Sequence, residues 1–258
     1  MMSWLKCKLV AKHTLAATVG ALSTHLRIRR EGCIVLCYHD IVGDMPILNY
    51  DTVCSVVLER FESQILFLKD QGFSFVSLSD LAESLERKVV PTRTILITFD
   101  DGKKSFLDRA MPILQKHSIP CAVFLITGLI GSSAEWLTWS DICALDSSEM
   151  VEFGAHTVSH PKLTDCCWEE IKREVNNSKT TIEEHLGHRI AAFAYPYGRH
   201  NREVVNAMRR AGFTTSFTTR YGAANGMTDP FRIPRITICV DDTLKTFGRK
   251  LAGAYDWL

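Results

Sequence analysis

The sequence has few features that would point to a membrane span, a nucleic-acid partner or a disulfide framework. It contains no run of about 20 apolar residues, the length that a membrane-spanning helix needs, and its formal net charge is only +1. A charge so close to zero gives no basis for binding a nucleic acid. The 9 cysteines are an odd number without regular spacing. No Cys-x-x-Cys pair occurs among them, which predicts reduced, mostly buried thiols rather than disulfides or a thiolate zinc site.

Residues 1–31 are predicted to form a basic helical extension outside the main domain. Six basic residues flank a mildly apolar stretch at 14–23: Lys6, Lys8, Lys12, Arg27, Arg29 and Arg30. The stretch is too weakly apolar to be the core of a secretory signal. Two interpretations stay open, a basic amphipathic helix on an anionic membrane surface and a helix packed against the domain. We therefore expect a cytoplasmic or membrane-peripheral protein, with residues 1–30 making the membrane contact in the first case.

Residues 32–258 are predicted to form one α/β domain. Apolar runs such as Cys33–Tyr38 and Cys121–Ile126 have the pattern of strands buried on both faces. Residues 168–186 instead carry an apolar stripe at helical spacing, closed by Gly187. Strands and helices alternate about seven times with short connections, which predicts parallel βα units in a barrel or a doubly wound sheet.

One strand-like stretch, Thr94–Gly102, reads TILITFDDG and ends in two carboxylates. Adjacent residues on a strand point to opposite faces, so both acids can serve one site only if the strand breaks near the glycine. The pair Asp241-Asp242 also follows an apolar run but has no glycine after it, and there Asp242 is predicted to cap the last helix. The flanking pattern therefore supports the hypothesis that Asp101 holds a metal and Asp100 handles protons.

Three histidines could complete such a site. His156 and His160 have a spacing that, on one helical turn, puts both imidazoles on the same face and within reach of one divalent ion. Two histidines and a carboxylate leave coordination positions open for water and substrate, as catalytic metal sites do. His39 follows the first predicted strand, and an ordinary pKa of about 6.5 would let it donate a proton near neutral pH. The alternative for all three is a structural role in loops and caps.

Together these motifs resemble the polysaccharide deacetylase family, carbohydrate esterase family four with its NodB-homology domain. TFDDG at 98–102, HTVSH at 156–160 and FAYPYG at 193–198 are similar to its first three motifs, in the same order. The resemblance spans roughly Gly32 to Leu251 and implies a single α/β domain, a distorted (β/α)7 barrel. It also implies a metal-dependent hydrolase that removes N-acetyl groups from an N-acetylated glycan or glycan precursor. The alternatives are a hydrolase of a non-glycan amide on the same barrel and an inactive glycan-binding relative.

Carried over to this sequence, the resemblance implies a role for each motif residue. Asp101, His156 and His160 would bind a divalent metal, most often zinc in this family. Asp100 would be the general base. The backbone N–H of Tyr197 would stabilise the oxyanion, which needs no particular side chain.

The sequence departs from the family pattern at two places. Ala194 stands where many members have an arginine that supports the catalytic aspartate, and no histidine follows residue 200, where many have a catalytic one. CYHD at 37–40 resembles the branch of exopolysaccharide poly-N-acetylglucosamine deacetylases, in which His39 would be the general acid. We assign the role of the missing arginine to Arg235, with Arg232 as an equally plausible alternative.

Overall fold

The computed structural model describes residues 30–46 and 52–257, so the predicted N-terminal helix and its membrane contact lie almost entirely outside the described residues. The strands are β1 (Cys33–Tyr38), β2 (Asp40–Val42), β3 (Ser55–Val57), β4 (Ser74–Phe75), β5 (Thr94–Phe99), β6 (Cys121–Leu125), β7 (Val151–Ala155), β8 (Ala192–Ala194), β9 (Thr215–Phe217) and β10 (Ile236–Thr237). The α-helices are α1 (Leu58–Asp70), α2 (Leu78–Glu86), α3 (Met111–Lys116), α4 (Trp139–Asp146), α5 (Trp168–Leu186), α6 (Arg202–Arg210) and α7 (Leu244–Leu251). Within these ranges no helix is both long and apolar enough to cross a membrane.

The main sheet is parallel and curls into a distorted barrel. Its strand order is β10-β1-β5-β6-β7-β8-β9, and the short β4 pairs with the beginning of β5. Ile233, just before β10, closes the curl: its N–H donates to the carbonyl of Ser216 and its own carbonyl accepts from Thr218. The predicted distorted (β/α)7 barrel is therefore confirmed.

Alternation along the strands divides the apolar residues into two cores. On β1, Ile34, Leu36 and Tyr38 belong to the large core between the sheet and the outer helices. Cys33 and Val35 belong to the smaller core inside the barrel, together with Leu96, Ala122, Phe124, Ala194, Phe217 and the leucines of α2. Because both faces of the central strands are buried, these strands are continuous apolar runs, as expected for a parallel sheet.

Two local predictions are wrong. Thr243, not Asp242, caps α7, since the Thr243 side chain accepts from the N–H of Thr246. The Asp242 carboxylate turns into the protein instead, where it pairs with Lys250. The cysteines are also less buried than predicted. None of the eight in the described ranges is in a disulfide, and three are buried: Cys33, Cys37 and Cys121.

Candidate active site

The structure brings the predicted site residues together at one rim of the barrel. Four strands end there, followed by His39 after β1, Asp100 and Asp101 after β5, His156 after β7 and Tyr197 after β8. Because the strands are parallel, their carboxyl ends share this rim, where α/β barrels build their sites. Arg235 differs from these residues because it precedes a strand, β10, instead of following one. The short β10 pairs only with the second half of β1, so the residue that precedes it reaches the site from inside the barrel.

Asp100 and Arg235 form a buried, two-pronged ion pair. The Arg235 Nη1 and Nη2 atoms each donate to one carboxylate oxygen of Asp100, both at 2.7 Å. Arg235 is fully buried, and its Nε donates to the carbonyl of Thr218 at 3.0 Å. Arg232 instead pairs with Asp229 at the surface, where half of its side chain is exposed. The geometry thus places Arg235, and not Arg232, against the candidate base.

The ion pair controls the charge of the carboxylate. Burial alone would raise the pKa of Asp100, but the Arg235 guanidinium and the nearby His156 outweigh it and hold the pKa below its ordinary value. Burial would likewise lower the pKa of Arg235, and Asp100 raises it instead. Both groups are therefore ionised at neutral pH, and Asp100 can accept a proton.

The two adjacent acids face different partners because the chain turns sharply between them. β5 ends at Phe99, and Asp101 has a φ of 77° in the left-handed region that few non-glycine residues adopt. Asp100 consequently stays inside the barrel, whereas the Asp101 carboxylate lies near His156, with Oδ1 and Nε2 3.7 Å apart. Strained backbone of this kind is concentrated at functional sites.

His156 and His160 meet in a loop rather than on the helical turn that their spacing would also allow. Thr157 and His160 both have positive φ, 70° and 59°. The turn is held by the Thr157 hydroxyl, which accepts from the N–H of His160 at 2.9 Å. It brings the two Nε2 atoms to 3.1 Å from one another.

Asp101, His156 and His160 suit a divalent metal. One ligand atom from each lies within 4.8 Å of the others, and the 3.1 Å between the two Nε2 atoms is short enough for both to reach one ion at about 2.0–2.1 Å. The Nδ1–H of His156 donates to the carbonyl of Ala194 at 2.7 Å, which leaves Nε2 as the ligand. Burial and the neighbouring His156 lower the pKa of His160 to about 4, so its imidazole is neutral, the form that binds metals.

Glu174 is a supporting residue that the sequence analysis missed. It lies on α5, and its carboxylate accepts from the N–H groups of Val158 and Ser159, both at 2.9 Å, and from the Ser159 hydroxyl at 2.8 Å. These bonds hold the loop that carries both histidines. The available signal was a glutamate on the apolar stripe of α5, beside Val175, where a buried charge needs a partner.

Tyr197 presents its backbone at the same rim. The residue has a φ of 59°, and its ring lies 4.7 Å from the ring of His160, centroid to centroid. Gly198 makes this turn possible, because a Cβ there would lie 2.1 Å from the Thr219 hydroxyl oxygen. The third motif therefore shapes a backbone corner beside the candidate metal ligands.

His39 and its neighbour Cys37 complete the rim. Both lie on one face of β1 and its extension, since they are two residues apart. The Cys37 sulfur lies 4.0 Å from Nδ1 of His39 and 3.4 Å from Oδ2 of Asp100. His39 is partly exposed, so its imidazole is accessible from the rim.

Comparisons with known proteins agree with the fold and with the motifs. The family model described as Polysaccharide deacetylase matches residues 87–216. The chain is 29% identical over 248 residues to the poly-beta-1,6-N-acetyl-D-glucosamine N-deacetylase of Staphylococcus epidermidis, covering 88% of this chain and 86% of that protein. The protein of the same description from Staphylococcus aureus is 27% identical, with 92% and 83% covered.

Solved structures give the same result. The Streptococcus pyogenes deacetylase PplD, in complex with acetate, superposes with a TM-score of 0.76 at 25% identity, covering 86% of this chain and 99% of that chain. IcaB from Ammonifex degensii superposes with a TM-score of 0.74 at 26% identity, covering 88% and 98%. The family model, together with the shared barrel and the rim that carries its motifs, shows that this chain belongs to the polysaccharide deacetylase family.

Proposed function

We propose that this protein is a metal-dependent N-deacetylase that acts on poly-β-1,6-N-acetylglucosamine and releases acetate. The observation that carries the proposal is the pairing of two groups at one rim. A three-residue cluster suited to zinc, Asp101, His156 and His160, lies beside Asp100, a buried carboxylate ionised by Arg235. A glycan-binding protein without activity would have no need for an ionised base next to metal ligands.

Asp101, His156 and His160 would hold the divalent cation, with zinc favoured by the two imidazoles. When bound, such a cation polarises the acetamide carbonyl and lowers the pKa of a bound water toward neutrality. The Oδ2 atom of Asp100 lies 3.9 Å from Nε2 of His156, so this oxygen faces the cluster. It is the atom that takes the proton of the attacking water.

The remaining residues act on the other atoms of the amide. The backbone N–H of Tyr197 donates to the carbonyl oxygen as that atom gains negative charge. His39 donates a proton to the sugar nitrogen as the C–N bond breaks, which makes the amine a neutral leaving group. Arg235 does not touch the substrate, and it holds the Asp100 carboxylate in one orientation.

The choice of substrate is supported by the relatives. Two staphylococcal proteins that match most of this chain are named for N-deacetylation of poly-β-1,6-N-acetylglucosamine. The motif containing His39 on the first strand, rather than a late histidine, resembles that branch.

Acetate release is the direct test. The purified protein, loaded with zinc, should release acetate from β-1,6-linked N-acetylglucosamine oligomers faster than from β-1,4-linked chitooligosaccharides or from a panel of non-sugar amides. Stoichiometric zinc without acetate release from any glycan would contradict the proposal. Faster hydrolysis of a non-sugar amide would show that the proposed substrate is wrong, although the proposed amide hydrolysis would stand.

Two variants separate the roles. Asp100→Asn should retain zinc and lose most turnover, whereas His156→Ala should lose both. Asp70→Asn and His188→Ala, which change exposed residues of the same types, serve as controls. Full activity of Asp100→Asn would show that another group is the base.

A further inference from the structure

Cys37 lies in the barrel interior directly below the candidate active site. Residues 33, 35 and 37 of β1 share one face because side chains alternate along a strand, and Cys33 and Val35 both pack in the inner core. Cys37 is opposite Thr98 of β5 in the strand register. Two residues further on, the same faces of the two strands present His39 and Asp100.

The Cys37 thiol connects the candidate base to the candidate acid. Its sulfur donates to Oδ2 of Asp100 over 3.4 Å and lies 4.0 Å from Nδ1 of His39. Oδ2 therefore receives two donors, the thiol and Nη2 of Arg235. Oδ2 is also the carboxylate oxygen that lies within 3.9 Å of His156.

The chemistry of the thiol suits a supporting contact. Cys37 is fully buried, and this burial raises the pKa of the thiol well above its ordinary value, so the group keeps its proton and can donate it. Cys37, His39 and Asp100 also lie close enough to hold a metal. The guanidinium of Arg235 occupies both oxygens of Asp100, however, and its positive charge opposes a cation there.

We propose that Cys37 is a positioning residue, which fixes Oδ2 of Asp100 relative to His39 by a weak S–H···O hydrogen bond from inside the barrel. The proposal rests on the proposed function, because it assumes that Asp100 and His39 exchange protons with the substrate and water. A thiol is a weak donor, so it orients the oxygen with little loss of basicity. When Oδ2 takes a proton from water, the S–H rotates away and no bond to sulfur forms or breaks.

The test compares alanine at two positions of the same strand. Cys33 is as buried as Cys37 but lies at the far end of β1, where its thiol contacts the carbonyl of Ile34. Cys37→Ala should lower kcat roughly fivefold or more, the equivalent of one hydrogen bond, with KM within about twofold. Cys33→Ala should leave both unchanged, and Cys37→Ser should restore part of kcat. Equal kcat for the two alanine variants, each with full zinc content, would overturn the proposal.

A second measurement does not depend on activity. The infrared S–H stretching band of Cys37 is obtained as the difference between the wild type and Cys37→Ser. The same difference, measured in the Asp100→Asn background, should shift toward the frequency of a free thiol because an amide oxygen is a weaker acceptor than a carboxylate. An identical band in both backgrounds would overturn the proposal. If the wild type released no acetate, the proposed function would fail, while the band would still decide whether Cys37 bonds to Asp100.

Discussion

Replacement of Arg235 by methionine should destabilise the protein and impair turnover together. Methionine is unbranched and matches the arginine side chain from Cβ to Nε, but it stops short of the guanidinium carbon, which lies 5.6 and 5.9 Å from the rings of Phe124 and Phe217. The packing of the aliphatic stem is therefore kept, and the contacts of the guanidinium are removed. What is lost is the pair of 2.7 Å hydrogen bonds to Asp100, together with the positive charge.

The magnitude follows from the burial of the partner. Asp100 is only 3% exposed, so its carboxylate cannot recover the lost bonds from water. Breaking a buried ion pair by removing one partner costs about 3–5 kcal/mol, which for a chain of this size corresponds to a fall in Tm of roughly 10 °C. Turnover should fall by about 100-fold if the freed carboxylate moves by about 1 Å.

The pH dependence gives a second signature. In the wild type the pKa of Asp100 is lower in the folded protein than in the unfolded chain. The ionised carboxylate therefore stabilises the fold fully above the unfolded pKa of about 3.9, and this stabilisation is lost only as the pH falls through the lower pKa of the folded state. Without Arg235, burial raises the folded pKa above the unfolded one. The buried, charged carboxylate destabilises the variant at neutral pH, and protonation removes this destabilisation as the pH falls. The difference in the free energy of unfolding between the two proteins should therefore narrow between pH 7.5 and pH 5.

Urea unfolding of both proteins after treatment with a chelator measures this difference, and acetate release measures turnover. Arg232→Met is the matched control, because that arginine is half exposed and pairs only with Asp229 in the described contacts. It should change the free energy of unfolding by no more than about 0.5 kcal/mol. A smaller loss for Arg235→Met than for Arg232→Met would refute the assignment of Arg235 to Asp100.

Three other substitutions test the histidine loop and two buried contacts elsewhere in the barrel. Glu174→Gln should weaken zinc binding by about 10- to 100-fold, because it removes carboxylate acceptors from the histidine loop; competition with a chromogenic chelator measures this, and Glu184→Gln on the exposed side of α5 should have no effect. Lys250→Met should lower the free energy of unfolding in urea by about 3–5 kcal/mol, because it leaves the Asp242 carboxylate buried without its cation. Replacement of the exposed Lys245 by methionine should change this free energy little. Similar losses for the two variants would contradict the reasoning. Gly154→Ala would place a Cβ 2.5 Å from the Phe124 ring and 2.8 Å from the carbonyl oxygen of Ala192. We therefore expect the free energy of unfolding, measured by calorimetry, to fall by about 1–3 kcal/mol. Gly43→Ala should change it little, because no atom lies within 4 Å of a Cβ at that position.

Much of the fold could be predicted because its signals are local. The apolar runs of β1 and β6 have no polar face, and α5 ends where Gly187 adopts a φ of 77°. Motif residues at strand ends share a rim in any parallel barrel, so the proximity of Asp100, Asp101 and His156 followed from the order of the elements. Periodicity along the chain predicted the strands and helices, and the resemblance of the motifs to the family indicated a barrel rather than a doubly wound sheet.

The remaining features depend on contacts between distant segments. Arg232 and Arg235 are indistinguishable in the sequence, and the closure of the barrel through Ile233 decides which one turns inward. His156 and His160 share a site because a strained loop, not a helix, brings them together.

Glu174 and Cys37 contact the site from positions to which no motif assigns a role. Glu174 reaches the histidine loop from an outer helix, and Cys37 reaches Asp100 across neighbouring strands. The residue types needed for the chemistry can thus be read along the chain, because each motif is short and local. Which side chains hold those groups in place could not be read in this way, because burial and hydrogen bonding across the barrel arise only when the strands have closed around them.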